Sequence, residues 1–199
     1  MVLEEQSGDY PLAIKNTLNQ AEKTRIAAEA AKLIKSHQTV ILDSGSTSAA
    51  LARAIRLANF DALTVITHAL NIAQEFLVSS KISVIMIGGI MRHVSGSFVG
   101  PQSEHLLRAL HGHHFFLGID GLDNDLNLST PDVLEAQLNK IMIQVANETT
   151  VIADSSKIGR RSLSVIGNLK AARRLITDHR VSRDIVEKIR GEGVEVLVV

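Results

Sequence analysis

The chain has 199 residues, 45% of them apolar and 21% charged, which suffices for one globular domain with a sizeable core and excludes a disordered tail. Its 21 Lys and Arg balance 21 Asp and Glu, so no overall basic field can hold a nucleic-acid duplex, and 3% aromatics without tryptophan give no stacking platform for single strands. No cysteine is present, no apolar run approaches the roughly 18 residues of a spanning helix, and the start Met-Val-Leu-Glu-Glu-Gln is unlike a signal peptide; a cytoplasmic protein without membrane contact is expected.

Residues 1–20, through Gly8-Asp9-Tyr10-Pro11 to Asn19, show no sustained period and read as a linker or flexible arm outside the core, with the folded domain over 21–199. From Ala21, the apolar stripe Ile26, Ala27, Ala30, Leu33 and Ile34 marks an amphipathic helix. The run 39–43 reads as a strand, the polar turn Ser44-Gly45-Ser46-Thr47-Ser48 follows, and Leu51, Ala52, Ile55 and Ala58 continue at helical spacing. The same strand-then-helix unit recurs at 63–68 with 70–77. Further strands are expected at 82–87, 114–120, 150–154, 174–178 and 194–198, with helices at 133–147 and around 185–189. Residues 90–112 fit this rhythm poorly. Strands without clean alternation, separated by helices, predict an α/β fold: an open, mainly parallel sheet sandwiched by helices.

Six of these strands end on a polar or glycine signature: Asp43, Thr67-His68, Gly88-Gly89, Asp120-Gly121, Asp154 and Asp178. In a parallel sheet those ends share one edge, outside which ligands of open α/β sheets bind. Residues 44–48 are suited to an oxyanion, since small side chains let the backbone approach while hydroxyls and helix N-terminal amides donate. A serine-rich N-cap is the competing reading. Neither a Walker lysine nor a three-glycine dinucleotide fingerprint is present. Lys157 and Arg92 are the candidate cations, with solvated surface side chains as the alternative. Asp120, Asp123 and Glu135 could supply a general base or act simply as loop carboxylates and caps. His111, His113 and His114 lack a fixed carboxylate or thiolate partner and alternate in direction along a strand, so no metal is expected. No cofactor is expected either.

Taken in order, Ile41-Leu42-Asp43-Ser44-Gly45-Ser46-Thr47, Thr64-Val65-Ile66-Thr67-His68, Ile87-Gly88-Gly89, Gly118-Ile119-Asp120-Gly121, Ala153-Asp154-Ser155-Ser156-Lys157 and Ile176-Thr177-Asp178 resemble the C-terminal sensor domain of DeoR-type bacterial transcriptional regulators. The likeness extends from about Lys15 onward and is nearest to regulators of amino-sugar and galactitol-type catabolism. It implies a fold shared with ribose-5-phosphate isomerase and CoA transferases, and a repressor's effector-binding, oligomerising module rather than an enzyme. The implied effector is a phosphorylated sugar. Its phosphate would lie on Ser44, Gly45, Ser46, Thr47 and Ser48 with Lys157 and Arg92; its hydroxyls would meet Asp43, Thr67, His68, Gly88, Gly89, Asp120, Gly121 and Glu135. A dimer or tetramer is implied, with DNA contact through an N-terminal helix-turn-helix that nothing upstream of Ala21 could form. The chain then reads as a sensor fragment and residues 1–20 as a linker remnant.

Two departures accompany the resemblance: His68 stands where the family usually has asparagine, and His113 lies near a position commonly acidic. The alternative function is a sugar-phosphate isomerase. Against it, the isomerase's glutamate corresponds roughly to Asn139 and its lysine lies near Thr130, removing base and cation together. Acyl-CoA transfer would need a glutamate in a glycine-rich setting, which Glu135, between Leu134 and Ala136, does not have.

Overall fold

A computed structural model describes residues 9–199; of the arm expected at 1–20, residues 1–8 lie outside the described part. The helices are α1 (Leu12–Thr17), α2 (Gln20–Ala31), α3 (Ser46–Leu57), α4 (Leu70–Gln74), α5 (Pro101–Arg108), α6 (Val133–Gln144) and α7 (Arg183–Gly191). The strands are β1 (Thr39–Leu42), β2 (Leu63–Thr67), β3 (Ile82–Met86), β4 (Ile90–Arg92), β5 (Ser97–Val99), β6 (Gly112–Gly118), β7 (Gly121–Leu122), β8 (Asn127–Thr130), β9 (Ala146–Ile152), β10 (Ser164–Asn168), β11 (Arg174–Thr177) and β12 (Glu195–Val198).

Seven strands form a parallel sheet in the order β12-β11-β9-β6-β1-β2-β3. Its interior strands are apolar without alternation because both faces are covered. Val40, Leu42, Val65, Phe116, Ile152 and Ile176 pack with side chains of α2, α3 and α4, whereas Ile41, Ile66, Phe115, Leu117, Val151 and Leu175 pack with those of α5, α6 and α7. The edge strands β3 and β12 regain alternate exposure. Burying a side chain the size of Leu, Ile or Phe contributes about 1.5–3 kcal/mol, so the two clusters supply most of the driving force.

Residues 90–112, which follow no period in the sequence, contain the antiparallel pair β4–β5 and helix α5. Pro101 opens α5 at a position where its missing N–H costs nothing. A second small antiparallel sheet, β10-β8-β7, adjoins the carboxyl end of β6.

The chain runs from β1 outward through β2 and β3, then returns to the other side of β1 with β6 before continuing outward through β9, β11 and β12. The direction of winding therefore reverses between β1 and β6. In an open α/β sheet the loops leaving two such strands diverge to opposite faces and leave a crevice between them.

Candidate functional site

A narrow cleft, about 550 Å³ with open solvent included, lies at that reversal. Residues 43–47 after β1 and 118–120 after β6 form its floor. Arg92, Val94 and Ser95 of the β4–β5 hairpin, Glu135 of α6 and Lys157 form the walls, and Asp9, Tyr10, Leu12 and Lys15 complete the lining from the N-terminal side.

Gly45 begins α3 at φ +102°, a left-handed conformation that favours glycine, and no side chain caps the helix. The first turn, Ser46-Thr47-Ser48, thus presents the helix N-terminus beside the cleft, with Ser46 and Thr47 among its lining and Ser48 fully buried behind them.

Beneath this turn lies a buried charged pair. Asp43 is 1% exposed and accepts from Gly118 N at 3.1 Å and from His68 Nε2 at 3.3 Å. The other ring nitrogen of His68, Nδ1, faces Phe98 O at 2.9 Å. With an acceptor at each nitrogen, the imidazolium is the form that satisfies both. Burial opposes that charge, but the hydrogen bond and charge of Asp43 outweigh it, and the His68 pKa is raised. Parallel pairing explains the encounter: Leu42 is in register with Thr67, which places the next residues, Asp43 and His68, side by side at the sheet edge.

Glu135 sits on the first turn of α6, where Asp132 caps the helix by accepting from Glu135 N at 2.8 Å. Ser44 Oγ donates to Glu135 Oε1 at 3.5 Å, and Arg92 Nη1 bonds Oε2. Burial and the nearby Asp43 charge push the Glu135 carboxyl up, Arg92 and His68 pull it down, and the balance is about 7. Arg92 also holds Asp9 at 2.6 Å and Asp132 at 3.2 Å, so its guanidinium is already shared among three carboxyl groups.

The opposite wall has a different balance. Asp120 Oδ1 receives Lys15 Nζ at 2.8 Å and Lys157 Nζ at 3.5 Å. Burial raises the Asp120 carboxyl, but the two ammoniums prevail and hold it below the usual carboxylate range. Lys15 Nζ also lies 3.9 Å from Asp9 Oδ1, so the two ammoniums on this wall face Asp120 closely and Asp9 more loosely. Close by, Lys23 is 5% exposed and donates to Lys15 O and Leu18 O; burial, only partly offset by Asp154, lowers its pKa.

Of the residues singled out in the sequence, the cleft brings together Asp43, Ser44, Gly45, Ser46, Thr47, Arg92, Asp120, Glu135 and Lys157. Ser48, Thr67, His68, Gly88, Gly89 and Gly121 do not line it. Thr67 Oγ1 accepts from Ala69 N, and Gly88 O accepts from Ser103 Oγ. Gly89 and Gly121 meet a spatial demand: a Cβ on Gly89 would lie 2.6 Å from Val99 O, and one on Gly121 2.7 Å from Arg160 O. Gly121→Ala is therefore expected to destabilise the fold by about 1–3 kcal/mol through backbone displacement. A denaturation midpoint equal to wild type would contradict this packing.

Asp154 and Asp178 organise the neighbouring strand ends. Asp178 accepts from Ser155 N at 2.7 Å and Arg180 N at 3.0 Å; despite opposing desolvation, its pKa is lowered. Asp123 folds its own loop by accepting from Asn127 N and lies outside the cleft. His113 Nδ1 accepts from Thr39 N, and His114 Nε2 meets Thr150 Oγ1 at 2.8 Å. Burial drives the His114 pKa to about 4. Among the described residues no group of three or more His, Cys, Asp or Glu could hold a metal, and no helix is long and apolar enough to cross a membrane.

Sequence reasoning did not select Asp9, Lys15, Lys23 or Asp132. Only Asp132 carried a local signal, as an N-cap carboxylate ahead of the helix that Val133 opens.

This chain is similar to known regulators over most of its length. It is 37% identical over 185 residues to a putative aga operon transcriptional repressor of Escherichia coli O157:H7, covering 93% of this chain and 68% of the relative. It is 35% identical to the uncharacterized HTH-type transcriptional regulator YulB of Bacillus subtilis, covering 99% and 75%. Identity is 28% to the glycerol-3-phosphate regulon repressor of Escherichia coli K12, covering 88% and 69%. The fold is similar to ribose 5-phosphate isomerase A of Methanocaldococcus jannaschii, with 21% identity, a TM-score of 0.51, and coverage of 70% of this chain and 55% of the other. It also matches the Pyrococcus horikoshii translation initiation factor eIF-2B, at 18% identity, TM-score 0.53, and 78% and 62% coverage. The expected architecture is thereby confirmed. The family model for the DeoR C terminal sensor domain matches residues 18–179, from the entry to α2 past Asp178, and the chain belongs to that family of transcriptional regulators.

Proposed function

We propose that the cleft binds a phosphorylated sugar as the effector of a DeoR-type repressor. The observation that carries the reading is the meeting, at the reversal between β1 and β6, of the uncapped α3 N-terminus with a wall where Lys15 and Lys157 share one Asp120 oxygen. Both features favour an anion. Glu135, in the facing wall, offers a carboxylate acceptor to sugar hydroxyls, while Asp43 in the floor is engaged by Gly118 N and His68. Arg92 serves as an organiser of carboxylates in this arrangement rather than as a spare cation, so the phosphate is assigned to Ser46, Thr47 and the lysines.

Effector binding would shift the balance between two arrangements of a dimer or tetramer and so change DNA occupancy through an N-terminal helix-turn-helix; only unequal affinity for the two arrangements can do this. Binding without turnover is the favoured reading. Thr130 and Asn139, the positions matched to the isomerase's cation and base, are buried and do not line the cleft.

A thermal-shift comparison of hexose 6-phosphates with their free hexoses tests this. A ligand at 100 times its dissociation constant adds about 2.7 kcal/mol, or roughly 5–10 °C for a chain this size. Phosphorylated members are expected to raise the melting temperature, free sugars to leave it unchanged, and the double variant Ser46→Ala/Thr47→Ala to abolish the difference. Equal shifts by free and phosphorylated sugars, or none by either, would overturn the reading.

A further inference from the structure

Residues 9–19 reach α2 along the cleft rather than through the core. None of them is buried, yet Asp9, Tyr10, Leu12 and Lys15 line the cleft. Lys15 Nζ lies 2.8 Å from Asp120 Oδ1, and Asp9 Oδ2 lies 2.6 Å from Arg92 Nη2. Two side chains outside the lining hold the segment from behind. Lys23, on the buried face of α2, donates to the carbonyls of Lys15 and Leu18 at 2.6 and 2.7 Å, where α1 ends. Asn19 Nδ2 donates to Asp154 Oδ1 at 2.9 Å.

Partly solvated ion pairs and isolated hydrogen bonds attach a segment weakly, which puts residues 9–19 at the low-stability end of the molecule. One ammonium of the anion-binding wall is therefore carried by a weakly attached segment, whereas Lys157 and the first turn of α3 belong to the folded domain. An ammonium has three donors, so Lys15 can meet an anion without leaving Asp120. An anion held from both sides adds a contact across the junction.

We propose that an anion in the cleft fastens residues 9–19 onto the domain, so that ligand binding and docking of the segment strengthen one another. This rests on the phosphate-binding reading above. In the repressor arrangement set out there, the chain passes from the helix-turn-helix through this segment into α2, so fastening it carries the effector's presence out of the cleft. Because coupling between two binding events is reciprocal, whatever loosens the segment weakens the ligand by the same factor. Lys23 and Asn19 are then positioning residues for Lys15.

Hydrogen exchange and tyrosine fluorescence test the coupling, with inorganic phosphate as the probe and ionic strength matched with sodium chloride. The chain has one tyrosine and no tryptophan, so the emission of Tyr10 reports on the segment. Phosphate is expected to slow exchange both in residues 9–19 and at Ser46 to Ser48, and to shield Tyr10 from quenching by acrylamide. Two variants loosen the segment without altering a side chain that lines the cleft. Asn19→Gly removes the bond to Asp154 at a φ of 50°, which glycine adopts readily. Lys23→Met removes the ammonium from the two carbonyls.

Each variant is expected to speed exchange in residues 9–19 without phosphate and to raise the phosphate dissociation constant by roughly three- to tenfold, in proportion to the fraction of the segment set free. Should Lys23→Met fail to fold, Asn19→Gly decides. Protection of Ser46 to Ser48 with unchanged or faster exchange in the segment would overturn the proposal while leaving the phosphate site standing. So would variants that free the segment at unchanged affinity, or that leave it as protected as before. No protection anywhere would remove both.

Discussion

Replacing Asp43 by alanine lowers the free energy of unfolding by about 3–5 kcal/mol, the cost of leaving a buried charge without its partner. Both of its oxygens are engaged within the protein, one by Gly118 N and the other by the His68 ring. His68 has no exposed surface through which water could replace the lost carboxylate. At roughly 2–4 °C per kcal/mol, the melting temperature falls by about 6–20 °C. Asp43→Asn keeps an oxygen for one of the two donors and is expected to cost less. Denaturant titration followed by circular dichroism measures both; a loss below about 1 kcal/mol for the alanine variant would show that the pair contributes little to the fold.

Stability is expected to fall as pH rises from 5 to 8. Glu135 is raised from 4.5 to about 7 in the folded protein, so the native state retains a proton that the unfolded chain has released. Its contribution is greatest below pH 4.5, declines up to about 7 and is lost above; at about 1.4 kcal/mol per pH unit this is at most roughly 3 kcal/mol. His68 acts in the same sense: its pKa is raised above 6.5, so its contribution is complete below that value and disappears as pH passes the folded pKa. Asp120 and Asp178, whose pKa values are lowered, lose their contributions only under more acidic conditions. Melting temperatures at pH 5, 6, 7 and 8 should decline by several degrees, and Glu135→Gln should remove most of the slope. A level wild-type profile would contradict the assignment.

The parallel sheet was legible because strands covered on both faces read as apolar runs closed by a polar residue, as at 39–43 and 150–154. Their order was not. Asp43 and His68 are 25 residues apart, and only the pairing of β1 with β2 brings them together. The small sheet escaped notice because β7 spans two residues and β8 reads Asn-Leu-Ser-Thr, too short and too polar for a period. Helix α5 buries only Ser103 and Leu107, so it has no apolar stripe despite its opening proline.

The segment 9–19 left no trace for a related reason. Its polar contacts with Arg92, Asp120 and Asp154 span 83, 105 and 135 residues, and such contacts impose no local periodicity. The small-residue turn at 44–48, by contrast, was visible because one segment contains both the glycine that begins the helix and the hydroxyls of its first turn.

The cleft combines a floor anchored in the core with an N-terminal edge, Asp9 to Lys15, none of which is buried. Substitutions in the floor are constrained by the folding energy of the whole domain, whereas those along the edge carry little of that energy. If the cleft binds the proposed effector, ligand preference can diverge through this edge at little structural cost, and chimaeras exchanging only that segment test it.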